Sequence, residues 1–461
     1  MSSKEKTLKK RRKLKVSHIL ILLLLVGAGA FTLYRWNLKK KLRSRIEAIR
    51  TAGYPVTGAE LNEWYTIPEG AENAADVIIE AFSYYREWDK TELESLPIVG
   101  RAELPVRTEP LAEETKGLVA QYLSDNQQAL ELLHEGAAME HSRYPVDLSL
   151  GLGTQMMYHF SDLRKGAMLL KLEAVLHAEN DKPQAVVRSI ISAFGIADSL
   201  AREPMAVSQH VRVDFQGFVV SSLEYVINRV ELTDEQLVEL GRVVTETEDT
   251  KAVLWALVGG RCLGIDIFKG PVSLILDAVV GDDDSIPPVP VLELYRDLGL
   301  ADRDAIIYID LMNDYIKAAK LPLCQRQKAA EIVDAKFKAT SKTHIWLYKF
   351  MPMPVFSGVI NMGTAGIAHL RTARLALAIQ RYRLATGNLP DTLADLVPTY
   401  LDTVPKDPFD GRSLRYEKLE TGFVVYSVGE DRRDDGGTER LPTGKRKKAP
   451  SSWDITFIVE R

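Results

Sequence analysis

The chain has 461 residues, enough for two or three domains, and its content of 46% hydrophobic and 26% charged residues is typical of globular proteins with real cores. Its formal net charge of −4 hides an asymmetry: residues 1–50 carry fifteen Lys and Arg against two acids, which leaves 44 basic and 61 acidic residues in 51–461. So acidic a body argues against nucleic acid as a partner, because neutralising phosphates requires clustered cations.

An uncharged stretch follows the basic N-terminal tail. Val16–Tyr34 is nineteen residues without Lys, Arg, Asp or Glu, about the length needed to cross ~30 Å of hydrocarbon as a helix. A cleaved signal peptide is the alternative, because Ala28-Gly29-Ala30 offers a small-residue cleavage site. The apolar run continues past that site and seven cations follow it, so the pattern favours an uncleaved anchor.

The orientation of this anchor is predicted from the charges on its two sides. Eight Lys and Arg precede the span and seven follow it within sixteen residues. Retaining the very basic tail inside costs less than exporting it. We therefore predict a cytoplasmic tail over 1–15, a single-pass anchor over 16–34 in a bacterial inner membrane, a juxtamembrane segment over 35–69, and a periplasmic body.

Residues 70–345 are predicted to form a helical domain. One apolar stripe has steps of three and four residues, as on one face of a helix; it comprises Met156, Phe160, Leu163, Ala167, Leu170 and Ala174. Pro183 is placed to open the next helix, and Thr233-Asp234-Glu235-Gln236 is a capping box. Consecutive helices with tight turns predict a mainly α fold, either an up-and-down bundle or an irregular α-solenoid.

Two loops interrupt this helical pattern, and an uncharged stretch follows it. Asp89–Pro110 and Gly281–Pro288 are proline-containing, charged stretches that predict solvated loops. The triple aspartate at 282–284 lacks the alternating spacing of a calcium loop. Phe350–Leu370 has no formal charge, yet its prolines and polar residues make it less apolar than Val16–Tyr34; we predict a buried helix rather than a second span.

The C-terminal domain, 346–461, has a different pattern. A long helix is predicted over 350–387, ending near Gly387, and Asp407–Gly411 predicts a turn. Strands are predicted at Leu414–Glu417, Phe423–Val428 and Trp453–Val459 within a sheet region of 412–461. The result is a small α+β domain in which one long helix lies on an antiparallel sheet.

An ordered set of motifs in this domain carries a family resemblance. The stretches AIQRYRLATGNLPDTLADLVPTYLDTVPKDPFDGRSLRY, GFVVYSVGEDRRDDGG and WDITF resemble the globular part of the major (G-type) pseudopilin of type II secretion systems. The resemblance covers about residues 370–461. The arrangement of the whole chain is similar to that of uncharacterised membrane-anchored bacterial envelope proteins.

The resemblance implies a calcium site in the loop that begins at Tyr426. The implied ligands are carboxylates and backbone carbonyls, namely Asp431, Asp454, Ser427 and Val428, with Asp434 and Asp435 as extra carboxylates. Calcium takes six to eight oxygens, and clustered carboxylates repel one another without a cation. The alternative is a charged loop without metal, in which Arg432 and Arg433 neutralise the acids.

The N-terminus departs from the pseudopilin pattern. Phe31-Thr32-Leu33-Tyr34-Arg35 imitates the family's processing motif, but it follows the apolar run and has Arg35 in place of the expected glutamate. We therefore expect neither prepilin processing nor assembly into a pseudopilus. The resemblance predicts a module rather than a role in secretion.

Motifs for catalysis are mostly absent from the sequence: there is no GxSxG, GxxxxGK[ST] or HExxH pattern. His134 and His141 are expected at the surface, and His159, His177 and His210 are expected on different helices.

The predicted function is a non-catalytic, membrane-anchored envelope protein with a helical scaffolding or binding body and a calcium-binding pseudopilin-like module. The alternatives are an atypical type II secretion-associated component that contacts envelope or secretion-system proteins, and an envelope hydrolase with a site between helices.

Overall fold

A computed structural model describes residues 3–150, 158–270, 288–341, 344, 353–439 and 454–461, with the backbone alone for residues 3–15, 158, 341 and 354. The protein is mainly helical. Its helices are α1 (Ser3–Thr51), α2 (Gly58–Trp64), α3 (Ala74–Ser83), α4 (Lys90–Glu94), α5 (Glu113–Asp125), α6 (Gln127–Ala137), α7 (Tyr158–Glu179), α8 (Pro183–Asp198), α9 (Ala206–Ile227), α10 (Asp234–Thr247), α11 (Ala252–Lys269), α12 (Val289–Asp297), α13 (Leu300–Ala319), α14 (Leu323–Ser341) and α15 (Pro354–Thr386).

The first helix joins an exposed apolar segment to the body without a break. Among the described residues, α1 is the one helix long and apolar enough to cross a membrane, and its apolar window is wholly exposed. Its C-terminal part packs on the body through apolar residues three or four apart, namely Leu38, Leu42, Ile46 and Ile49, all at most 9% exposed. The predicted N-terminal apolar helix is therefore confirmed.

The helical body follows the local signals of the sequence. Pro183 occupies the first turn of α8, where its missing N–H costs no hydrogen bond. Thr233 and Gln236 form the predicted capping box of α10, which satisfies two N–H groups of the first turn. Helices α7, α8 and α9 pack on one another and bury their apolar faces. Local capping therefore sets where these helices begin, and tertiary burial holds them together.

The long helix α15 belongs to the same core as the body. It packs against α9, α10 and α14 as well as against the sheet. Within the described part of 350–370, the apolar residues are mostly buried, among them Phe356, Val359, Ile360 and Leu370. Burial of this stretch is therefore confirmed for those residues. The helix ends at Gly387, which has φ +75° as a left-handed C-terminal glycine does.

A small antiparallel sheet lies next to α15. Its strands are β1 (Arg415–Lys418), β2 (Phe423–Ser427) and β3 (Ile455–Val459), in the order β1-β2-β3. The register pairs Tyr416 with Val425 and Val425 with Phe457. At the outer edge of β3, the side-chain amide of Asn228 donates to the Ile458 carbonyl at 2.9 Å and accepts from the Glu460 N–H at 2.7 Å. Helix α9 thereby occupies part of an edge that another strand would otherwise pair with.

Some predictions differ from the structure or lie outside its described residues. The predicted loop Asp89–Pro110 contains the short helix α4, which Asp89 caps through its side chain. The acidic connection 281–288, apart from Pro288, lies outside the described residues, as do Met156, Phe350 and Trp453.

Candidate functional site

A buried aspartate, Asp407, organises the corner where the calcium carbonyls were predicted. Its Oδ1 accepts from the Ser427 hydroxyl and the Phe409 N–H, both at 2.9 Å. Its Oδ2 accepts from the Val428 N–H at 2.9 Å and from Arg415 Nη1 at 2.6 Å. Asp407 is 1% exposed, and four donors satisfy its carboxylate in place of water. Ser427 and Val428 are thus held together by a protein carboxylate.

The acidic loop after this corner turns back on itself. Asp431 is exposed and accepts from the Arg433 N–H at 3.0 Å. Asp434 Oδ1 accepts from the Tyr426 hydroxyl and the Gly436 N–H, both at 3.1 Å. Asp434 Oδ2 lies 3.6 Å from Arg415 Nε. Glycines 429, 436 and 437 all have positive φ, which lets the chain make these tight turns.

Asp454 lies under the loop at the start of β3 and is 3% exposed. Its Oδ2 accepts from the N–H groups of Asp435, at 3.1 Å, and Gly437, at 2.8 Å. Burial raises the pKa of Asp454 to about 6, against the hydrogen bond from Gly437 and with the help of the negative charges of Asp435 and Asp434. The negative charges of Asp434 and Asp435 therefore disfavour ionisation of Asp454, as is expected of neighbouring carboxylates.

Several of the carboxylates predicted to bind calcium already have partners within the protein. Within the described ranges, no group of three or more His, Cys, Asp or Glu side chains is arranged to hold a metal ion. The side chains that approach one another already accept from backbone N–H groups, Tyr426 or Arg415. Asp431 instead turns towards the backbone of its own loop. Calcium needs six to eight oxygens around one centre.

The calcium prediction from the resemblance stays a prediction that a titration of the full chain tests. With these donor positions we expect calcium to leave the melting temperature unchanged within about 1 °C, because a ligand stabilises a fold only when it binds that fold. Magnesium serves as the control ion. A calcium-specific rise of several degrees that disappears in Asp454→Asn would contradict this expectation and establish the metal site.

The side chain of Arg432 has a different partner from the one predicted. The sequence alternative was that Arg432 and Arg433 neutralise the loop acids, but Arg415 is the cation that meets Asp407, Asp410 and Asp434. Arg432 instead donates to Gln327 Oε1 at 3.1 Å on α14, and Gln327 donates to the Glu430 carbonyl at 3.1 Å. The loop thus fixes the sheet to the helical body.

The body contains a buried Ser–His–Glu cluster that sequence reasoning missed. His134 Nδ1 lies 2.7 Å from the Ser192 hydroxyl, and His134 Nε2 lies 3.0 Å from Glu173 Oε2. Ser189 also donates to Glu173 at 2.6 Å. Burial works to raise the pKa of Glu173, but hydrogen bonds from His134 and Ser189, together with the His177 imidazole 3.8 Å away, outweigh it and lower the pKa to about 2. Glu173, whose side chain is 14% exposed, is therefore a largely buried carboxylate that these partners keep ionised.

This cluster corrects two predictions about histidines. His134 is 7% exposed rather than at the surface, because Ser192 and Glu173 satisfy both ring nitrogens. His159 and His177 lie on the same helix, α7. Glu173 and His177 are four residues apart and so lie on one helix face. This spacing was the feature of the sequence that could have indicated the cluster. The cluster resembles a catalytic triad in composition, but with Ser192 only 6% exposed a substrate has no access to its hydroxyl.

A second buried network joins α2 to the body. Glu203, which is wholly buried, accepts from Ser208 at 2.6 Å and lies 3.3 Å from His159 Nε2. The Tyr65 hydroxyl is 3.5 Å from Glu203 Oε2, the same oxygen that faces His159. Tyr144 stacks on the His159 ring with centroids 4.5 Å apart. These contacts satisfy buried polar groups and indicate a structural role.

An apolar groove on the body is the best candidate for a binding surface. It has a volume of about 460 Å³ and lies between α7 and α9, with Ile98 at one side. Its walls are mainly large apolar side chains, including Phe160, Met168, Phe215 and Phe218, with Arg164 and Asp214 as the charged groups. Such a lining suits apolar side chains of a partner, with charged groups to orient them.

No protein-family model, curated protein or solved structure matches this chain. The fold therefore defines the class of protein: it is mainly helical, with one N-terminal apolar helix and a small C-terminal antiparallel sheet.

Proposed function

We propose that the protein is a non-catalytic, single-pass protein of the bacterial inner membrane, whose helical body is a binding scaffold held against the outer face of that membrane. The observation that carries the proposal is the continuity of α1. One helix provides the exposed apolar segment and the buried residues Leu42, Ile46 and Ile49 that pack on the body.

Polar contacts reinforce this junction. Arg45 makes two hydrogen bonds to the carboxylate of Asp310 on α13, at 2.8 and 3.3 Å. Arg35 Nη1 donates to the Arg296 carbonyl at 3.1 Å and lies 3.5 Å from Asp302. A half-exposed pair such as Arg45–Asp310 contributes little free energy by itself. Together with the apolar contacts, these bonds fix the direction in which α1 leaves the body.

The orientation with the tail inside rests on the eight cations of residues 1–15, which favour the cytoplasmic side. On the other side, the groove between α7 and α9 would receive apolar side chains of envelope proteins. The C-terminal sheet, α15 and the Asp407 corner form a pseudopilin-like module in this proposal. Its role is structural, because the module shares its core with the helical body.

Membrane extraction of the full chain tests the anchor. We expect the protein to stay in the membrane fraction during alkaline carbonate extraction. We expect Leu23→Arg combined with Leu24→Arg to release it, since each arginine adds about 3 kcal/mol to the free-energy cost of inserting the helix into the membrane. The matched control is the double alanine variant, which should stay in the membrane fraction.

Mass spectrometry of the N-terminal peptide separates an anchor from a cleaved signal. An uncleaved chain retains residues 1–30, whereas cleavage at Ala28-Gly29-Ala30 would give a new N-terminus at Phe31. A wild-type chain that starts there, or that carbonate releases, would contradict the proposed anchor.

A further inference from the structure

Helix α12 has apolar residues on two faces, and one of these faces is exposed. Leu292 and Tyr295, which are 1% and 8% exposed, face the core. Three other apolar residues, Val291, Leu294 and Leu298, are 48%, 57% and 41% exposed. Their spacing of three and four residues places them on one stripe of a helix. Such a stripe on a protein surface marks a contact site.

The stripe lies beside the point where α1 leaves the body. Arg35 of α1 donates to the carbonyl of Arg296, which is two residues from both Leu294 and Leu298. The Arg35 side chain also covers Gly299, where an added Cβ would lie 2.1 Å from Arg35 Nη1. The C-terminal end of α12 is therefore in direct contact with the first charged residue after the apolar segment.

Arg35 marks the expected boundary of the hydrocarbon. Val16–Tyr34 has nineteen residues, and at 1.5 Å per residue it spans roughly 28 Å, close to the thickness of the apolar core. Trp36 is 62% exposed and lies under the Lys40 ammonium, 5.1 Å from the ring centroid. Exposed Trp and Lys side chains at this level are typical of the membrane interface.

We infer that the stripe Val291, Leu294 and Leu298 is a second membrane contact, inserted into the interfacial layer of the bilayer that α1 spans. The inference rests on the proposed anchor, because that anchor brings α12 to the bilayer surface. Helices lying in this layer bury apolar side chains about 5–10 Å deep while their charged residues stay in water. Glu293 and Asp297, both exposed, are the charged residues on the adjoining face.

A membrane contact at α12 restricts how the body can move. One crossing helix leaves a body free to tilt about the point of exit, whereas a second contact beside it removes much of this freedom. The groove between α7 and α9 would then have a fixed orientation relative to the membrane.

Site-specific fluorescence in the full chain tests the inference. Cys324→Ser removes the partly exposed native thiol, while Cys262 is wholly buried. In this background, Leu294→Cys reports on the stripe, Leu24→Cys on the apolar segment, and Val238→Cys on a position of α10, 44% exposed. Each variant is labelled with an environment-sensitive dye and reconstituted into phosphatidylcholine–phosphatidylglycerol vesicles that contain spin-labelled lipid as quencher.

We expect the dye at position 294 to lose roughly half of its emission to a quencher placed just below the headgroups, the depth of interfacial helices. The dye at position 24 should respond to a deep quencher, and the dye at position 238 to neither. If 24 is quenched while 294 behaves like 238, the inference is wrong and the anchor stands. If 24 is not quenched, the anchor itself fails and the inference with it. Equal quenching of the dyes at positions 294 and 238 also overturns the inference, because the stripe would then contact the bilayer no more than α10 does.

Discussion

Asp407→Ala is expected to destabilise the folded chain by about 3–5 kcal/mol, the range found when one partner is removed from a buried charged pair. The carboxylate of Asp407 accepts from Ser427, Phe409, Val428 and Arg415. Alanine leaves these donors without their acceptor in a site that water does not reach, and each unsatisfied buried group costs about 1–3 kcal/mol. Arg415 retains Asp410 as a partner, which limits the total.

Thermal and urea unfolding of the full chain in detergent, followed by tryptophan fluorescence, measures this effect. Asp407→Asn should cost less than Asp407→Ala, because the amide oxygen still accepts hydrogen bonds although the charge that faces Arg415 is lost. The matched control is Asp431→Ala, which removes an exposed carboxylate that accepts from the Arg433 N–H of its own loop. Its expected cost is within about 0.5 kcal/mol, as for surface substitutions in general.

The comparison between Asp407 and Asp431 separates two explanations of the same corner. If Asp407 holds Ser427 and Val428 in place, the two variants differ by several kcal/mol. If a bound calcium ion holds them, Asp431→Ala should be about as damaging as Asp407→Ala in the presence of calcium, and a chelator should abolish the loss caused by Asp431→Ala. Equal losses would therefore contradict the structural role of Asp407.

The sequence predicts those features of the fold that depend on local rules. The capping box at Thr233, Pro183 at the start of α8 and the end of α15 at Gly387 are each set by residues within a few positions. The strands are also predicted to within two residues at their described ends, because runs of β-branched and aromatic residues, alternating with polar residues in β3, identify strands without knowledge of their partners.

Features that depend on distant contacts were not predicted. Asp407 lies in a stretch that predicts a turn. Nothing in that stretch indicates that its carboxylate accepts a hydrogen bond from the N–H of Val428, twenty-one residues later. His134 looks like a surface residue until Ser192 and Glu173 are brought beside it. The docking of the acidic loop on Gln327 likewise depends on how α14 packs. In each case tertiary structure decides whether a polar residue is buried, and one sequence shows only that the residue is polar.

Close contacts between helices also depend on tertiary structure, and one of them leads us to expect a large loss of stability. Gly259-Gly260 lies in the middle of α11, where glycine costs about 1 kcal/mol relative to alanine. The structure explains Gly259: a Cβ built there would lie 1.6 Å from the carbonyl oxygen of Pro204. The obstructing atom belongs to the backbone, so a change of side-chain rotamer cannot relieve the clash.

The turn that carries Pro204 has little freedom to move away. The side-chain amide of Gln209 donates to three carbonyls of this turn, those of Leu200, Ala201 and Glu203, at 2.9, 3.2 and 3.0 Å. Moving the turn to accommodate a methyl group would break several of these bonds or separate α11 from α9. The position therefore requires glycine for steric reasons, although its conformation is helical.

Gly259→Ala is accordingly expected to destabilise the chain by about 3 kcal/mol or more, at the upper end of the range for overpacked cores. Gly241→Ala is the matched control, because Gly241 is also inside a helix, α10, and a Cβ there meets nothing within 4 Å. That variant should be neutral or more stable by up to about 1 kcal/mol through helix propensity alone. Urea unfolding of both variants under one set of conditions gives the comparison. If Gly259→Ala is as harmless as Gly241→Ala, α11 does not approach the Pro204 turn closely, and the packing of α11 against the start of α9 would have to be revised.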